Sequence, residues 1–125
     1  MAREVVAGHR LPAAEAEVLR VLLDAPAPLM ITEISERLRT RRAHTTISTL
    51  LTRLAERGLV ERETRGRGHA YRAVGTEQQL ALDALREVVD RLDDPASALA
   101  AFINELPPRT RRRVTDRLRS DRDQR

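Results

Sequence analysis

Apolar positions in this chain follow a helical period in some stretches and alternate in others. Ile47, Leu50, Leu51 and Leu54 stand at i, i+3, i+4 and i+7, so they share one face of a helix predicted over residues 43–57 and stopped by Gly58. Opposite that stripe lie Thr45, Thr49 and Thr52, with Ser48 nearby and Arg41 and Arg42 just before. A solvated face normally carries long charged side chains and good helix formers. Short hydroxyls there imply a surface that approaches something closely. Upstream, residues 1–10 read as a frayed start, and Leu11-Pro12 opens a helix with Val18, Leu19, Val21, Leu22 and Leu23 on its broad apolar side. Asp24 to Pro28 ends that helix, and Leu29 to Ile31 read as a very short strand. Thr32 then caps a short helix that buries Ile34 and Leu38. Downstream of Gly58, residues 59–63 and 69–74 read as two strands about a glycine-bearing turn, Thr64 to Gly68.

A second group of helices follows Gly75-Thr76. Thr76 to Gln79 has the form of a capping box for a helix over 77–92, which carries Leu82, Leu85, Val89 and Leu92. Asp94-Pro95 starts another with Leu99, Phe102, Ile103 and Leu106, and Pro107-Pro108 leads to a last one anchored only by Val114 and Leu118. Three short helices bury little by themselves, so their core is expected to form between two copies of the chain, with Leu82, Leu85, Val89, Leu99, Phe102 and Ile103 in it. The fold class is therefore mainly α with a small β-hairpin. Residues 1–75 have the element order of a winged helix-turn-helix, in which a recognition helix is followed by a basic hairpin. Residues 76–125 form a helical dimerisation domain with an Arg-rich tail.

Charge agrees with that order. All 23 basic residues of the 125 are Arg. Residues 37–72 hold 10 Arg against 3 acids, net +7, whereas residues 1–36 and 73–108 are net −3 and −5 and residues 109–125 are net +5. The positive charge surrounds the proposed recognition helix and hairpin, the footprint of a phosphate-contacting surface. One Phe, one Tyr and no Trp leave a core of Leu, Val, Ile and Ala, and give no stacking platforms for single-stranded nucleic acid. The absence of cysteine excludes disulfides and thiolate metal sites and suits the cytoplasm. No apolar run reaches the ~18 residues of a membrane span.

Helix 43–57 is expected to enter a major groove by its N-terminal half, with hydroxyls against base edges and Thr methyls against thymine methyls. Arg41, Arg42 and Arg53 suit phosphates or one guanine, and Arg65 and Arg67 at the hairpin tip suit the flanking backbone or minor groove. His44 falls towards the buried side as a packing or capping residue. The histidines have no metal-type spacing, and the Arg109–Arg113 run reads as a solvated helix face. No phosphate-binding glycine loop, nucleophile elbow or His/Asp/Glu constellation suggests an enzyme, and no cofactor is expected. Other readings of the same pattern are a ligand-responsive winged-helix regulator and a winged-helix protein-interaction module.

The strings Thr45-Thr46-Ile47-Ser48-Thr49-Leu50-Leu51-Thr52-Arg53-Leu54 and Gly58-Leu59-Val60 resemble the penicillinase-repressor family (BlaI/MecI type). Leu11 to Val18 resembles that family's opening helix, Ile31 to Ile34 the start of its second, and Tyr71-Arg72 the end of its wing, so the resemblance covers about residues 10–120. It implies a dimeric winged-helix repressor on a palindromic operator, reading half-sites about one DNA turn, ~34–36 Å, apart. It gives operator contact to Thr46, Thr49 and Arg53, and places Thr45 and Ser48 at contact positions where relatives often carry longer side chains. Copper-sensing relatives use a C-terminal cysteine cluster that this chain lacks. In antibiotic-responsive relatives a membrane sensor's signal ends in cleavage before a Phe, usually after Asn. Here the bond is Ala101–Phe102.

Overall fold

The computed structural model describes residues 2–123. The stripe of Ile47, Leu50, Leu51 and Leu54 does become the buried face of a helix, His44–Glu56. It packs on two others that carry matching apolar faces. In chain order the elements are β1 (Arg3–Val6), β2 (His9–Pro12), α1 (Ala13–Asp24), α2 (Ile31–Arg37), α3 (His44–Glu56), β3 (Val60–Arg65), β4 (Gly68–Ala73), α4 (Glu77–Val89), α5 (Pro95–Glu105) and α6 (Pro108–Asp123). They fall into two compact units, Met1–Glu87 and Val88–Arg125.

The first unit has one core. Val18, Leu19 and Leu22 of α1 meet Ile34 of α2 and the four apolar residues of α3, with Leu59, Val60 and Leu80 closing the edges. Gly58, at φ 78°, ends α3 in the left-handed conformation that L-residues disfavour, and turns the chain into β3. The β3–β4 hairpin pairs Val60 with Ala73 through to Arg65 with Gly68, which leaves Gly66-Arg67 as a two-residue turn. Positive φ at Gly66 but not at Arg67 is the pattern of a type II′ turn, whose twist matches that of the strands it joins. Leu29 bridges Tyr71 through hydrogen bonds in both directions, so the expected short strand at 29–31 is a single bridged residue beside β4.

Several expectations are corrected. Residues 3–12 are not frayed; they form an antiparallel hairpin closed by Ala7-Gly8, both at positive φ, the type I′ pattern. Pro12 is the N-cap of α1 rather than a residue inside it. Met30, not Thr32, is the N-cap of α2, and its N–H is satisfied by the Glu33 carboxylate at 2.9 Å. A carboxylate at the third helical position serves the orphan donor that a capping hydroxyl was expected to serve. The break read at 75/76 falls between β4 and α4, but the first unit extends further, because Leu80 is buried in its core. The helix read as 77–92 ends at Val89.

In the second unit, α5 begins at Pro95 behind an Asp94 N-cap. The Asp94 carboxylate accepts from the Ser97 hydroxyl at 2.6 Å and the Ser97 N–H at 3.2 Å, and these bonds hold its pKa below the usual carboxylate value. Neither α5 nor α6 has a buried residue. Among the described residues no helix is long and apolar enough to cross a membrane. Of the Arg-rich tail, Gln124 and Arg125 lie outside the described residues.

Candidate DNA-binding interface

The burial of Ile47, Leu50, Leu51 and Leu54 dictates which side of α3 is free. At about 100° per residue, Thr45, Thr49 and Thr52 lie opposite that stripe, Thr46 and Arg53 on one flank and Ser48 on the other. All are exposed except Ser48, which is half-buried. The Thr49 hydroxyl donates to the Thr45 carbonyl and the Thr52 hydroxyl to the Ser48 carbonyl, each at 3.0 Å. Their protons are thus committed to the backbone, and what they present outward is a methyl group and oxygen lone pairs. Such groups accept from the amino groups of adenine or cytosine and pack on a thymine methyl. Thr45, Thr46 and Ser48 have no such bond, so their hydroxyls remain free to donate as well.

His44 does not pack inward. It is exposed in the first turn of α3, and the N-cap is Ala43, which makes no side-chain cap. The order before α3 comes from α1 instead. Glu17 accepts the N–H of Arg39 at 2.6 Å and of Thr40 at 3.2 Å, and pairs with Arg42 at 3.8 Å. At the other end of α3, the C-cap Arg57 donates through Nε to the Glu15 carboxylate at 3.0 Å, and Glu15 is 2% exposed. Two acids on α1, two residues apart, thus tie down the turn before the helix and the residue after it. Neither stood out in the sequence, because an acid in a first helical turn is ordinary and its partner lies far along the chain.

The basic residues divide into two sets. Arg41, Arg53 and Arg67 are exposed and have no ion-pair partner among the described residues. Arg42 is held against Glu17, with its Nε buried and unpartnered. Arg65 turns back to Glu33 of α2 at 3.2 Å, so it is not free at the hairpin tip. Arg62 was not anticipated. It shares the α3-facing side of β3 with Val60, and with Ser48, Leu51, Thr52, Ala55, Val60 and Tyr71 it lines a cleft of about 310 Å³ between α3 and the hairpin. The signal for it was strand alternation: position 62 follows the buried Val60 by two. Arg72 is paired across the hairpin with Glu61.

The expected dimerisation residues are also uncovered to different degrees. Leu82, Leu85 and Phe102 are 48%, 51% and 61% exposed, whereas Val89, Leu99 and Ile103 are half-buried. Ala101 is exposed beside Phe102 in the middle of α5. Among the described residues no three His, Asp or Glu side chains are grouped to hold a metal ion.

Solved structures similar to this chain include a MarR family protein from Bacillus stearothermophilus (16% identity, 95% of this chain and 78% of that one, TM-score 0.48). They also include a mutant of ZitR from Lactococcus lactis (13%, 97% and 83%, TM-score 0.49) and a mutant of MepR from a multidrug-resistant S. aureus clinical isolate (16%, 91% and 78%, TM-score 0.47). No curated protein matches the chain in sequence. The penicillinase repressor family matches residues 11–120, from the end of the first hairpin almost to the end of α6. A match over that span, on a chain with a recognition helix and a wing in this order, means that the protein belongs to the penicillinase repressor family and is a winged-helix, DNA-binding transcriptional regulator.

Proposed function

We propose that the chain acts in the cytoplasm as a homodimeric repressor of a palindromic operator, with α3 of each subunit in a major groove and each wing on the flanking backbone. The observation that carries this reading is the exposed face of α3, with a row of short hydroxyls between Arg41, Arg53 and Arg62. Short side chains let the helix axis come close to base edges, while the flanking guanidinium groups fix its register on phosphates. The net charge of +7 over residues 37–72 favours DNA over a protein partner for the same surface. The test is fluorescence anisotropy on the duplex upstream of the protein's own coding region. Replacing Arg41, Arg53 and Arg62 together by Ala is expected to abolish binding at physiological salt and to lower the salt slope by about three, roughly one per lost phosphate contact. Unchanged affinity and slope would refute the interface.

Release by proteolysis is the second part of the proposal, favoured by the exposure of Ala101 and Phe102. The bond lies inside α5, and a protease takes an extended substrate, so cleavage requires α5 to unwind first. Intact-mass measurement on protein recovered from induced cells is expected to show fragments 1–101 and 102–125. Only the full-length mass at full derepression would exclude this route.

A further inference from the structure

The β1–β2 hairpin lies mostly before the segment matched by the family, and it has a specific attachment. Val6 and Leu11 are buried in the same core as Leu80 of α4. His9 Nε2 lies 3.0 Å from the Leu80 carbonyl oxygen. Gly8, at φ 80°, comes so close to α4 that a Cβ there would sit 2.9 Å from the Ala84 Cβ. The hairpin therefore grips α4 along one line, at positions 80 and 84. Leu82 and Leu85 stand on roughly the opposite side of that helix, at ~100° per residue, and are exposed. One face of α4 is thus locked to the unit that holds α3, while the other is the stripe assigned above to a second copy of the chain.

We infer that the hairpin is a clamp that sets the operator's half-site spacing. It fixes the rotation of α4 about its own axis, and so the direction in which Leu82 and Leu85 meet the partner subunit relative to the recognition helix. The inference rests on the dimeric-operator reading. The geometry is sensitive: for a reading head ~13 Å from that axis, a swing of about 15° displaces α3 by ~3.4 Å, one base-pair step. Within the hairpin, the residues that touch α4 carry this role. Glu4 does not, because it pairs with Arg20 of α1.

The test uses the full-length protein and a palindromic duplex enriched by the parent protein from a random pool, rebuilt with its central spacer shortened or lengthened by one to three base pairs. The parent is expected to prefer one spacing by at least tenfold. His9→Ala, alone and with Gly8→Ala, is expected to reduce that preference at least threefold, with dimerisation and binding to a single half-site unchanged. Glu4→Ala should keep the parent profile. Hydrogen exchange guards against a folding artefact: His9→Ala should speed exchange of α4 amides 80–87 and leave α3 protected. A spacing preference retained in a folded, dimeric His9→Ala, Gly8→Ala variant overturns the clamp. A parent that binds as a monomer or prefers no spacing overturns the dimeric-operator reading, and the clamp with it.

Discussion

Glu15 is a carboxylate placed where almost no water reaches it, and Arg57 is the cation that makes this tolerable. The pair closes the C-terminal end of α3 onto α1, so its loss acts on fold stability rather than on a DNA contact. Arg57→Ala leaves a buried acceptor unpaired and is expected to cost about 1–3 kcal/mol, discounted towards the lower end because Arg57 itself is 40% exposed. Urea unfolding measures this, and a change below ~0.5 kcal/mol would mean that Glu15 finds another partner. The arginines of the wing divide differently. Arg62 is free in the α3 cleft, whereas Arg65 is already opposed by Glu33. Arg62→Ala should lower the salt slope of duplex binding by roughly one and Arg65→Ala by less than half of that. Equal slopes for the two variants would show that Arg65 leaves Glu33 when DNA arrives.

Among the elements, α3 and the β3–β4 hairpin were legible because each satisfies local rules. The first has an apolar period sustained over the whole helix and a glycine stop; the second has glycines where the turn needs positive φ. The β1–β2 hairpin was not legible for the opposite reason. Its strands are four residues long, and its turn puts Ala7, rather than Gly or Asn, at φ 49°. Its buried residues Val6 and Leu11 gain their partner only when α4 arrives some seventy residues later. Tertiary burial outweighs weak local preference there. The interface divides along the same line: the hydroxyl row follows from helical period alone, whereas the attachment of Arg42 and Arg65 to acids needed the folded chain. At α5 the local rule held, since Asp94-Pro95 was read as a helix start. The lowered pKa of Asp94 then has a sign. Its charged form is favoured by folding, so the cap's contribution is complete above the unfolded-state pKa and is lost as pH falls through the lower folded value. An NMR titration should find the Ser97 amide shifting with a midpoint below that of an unperturbed Asp, and Asp94→Asn should remove the transition. A midpoint at the ordinary value would mean that the cap is open in solution.

For the whole molecule, the decisive fact is that Val88–Arg125 has no interior of its own. Neither α5 nor α6 buries a single residue, and α5 has 11 residues, fewer than the ~12–15 at which an isolated helix becomes even marginal in water. Leaving Leu85 and Phe102 in solvent forfeits roughly 1.5–3 kcal/mol for each side chain that a partner would cover. A two-fold dimer covers each of them twice, so one substitution removes two contacts. Leu85→Asp with Phe102→Asp is therefore expected to weaken self-association by at least about 100-fold, ~2.7 kcal/mol. Sedimentation at micromolar concentration should show the parent as a dimer and the variant as a monomer. The Leu80 side of α4 and the α1–α3 core are untouched by these changes, so the variant's first unit should keep its cooperative unfolding and bind a single half-site as the parent does. Its affinity for the full palindrome should fall towards that half-site value, because the second recognition helix no longer arrives at the high effective concentration that a dimer provides. A variant that remains dimeric and retains full operator affinity would remove Leu85 and Phe102 from the interface.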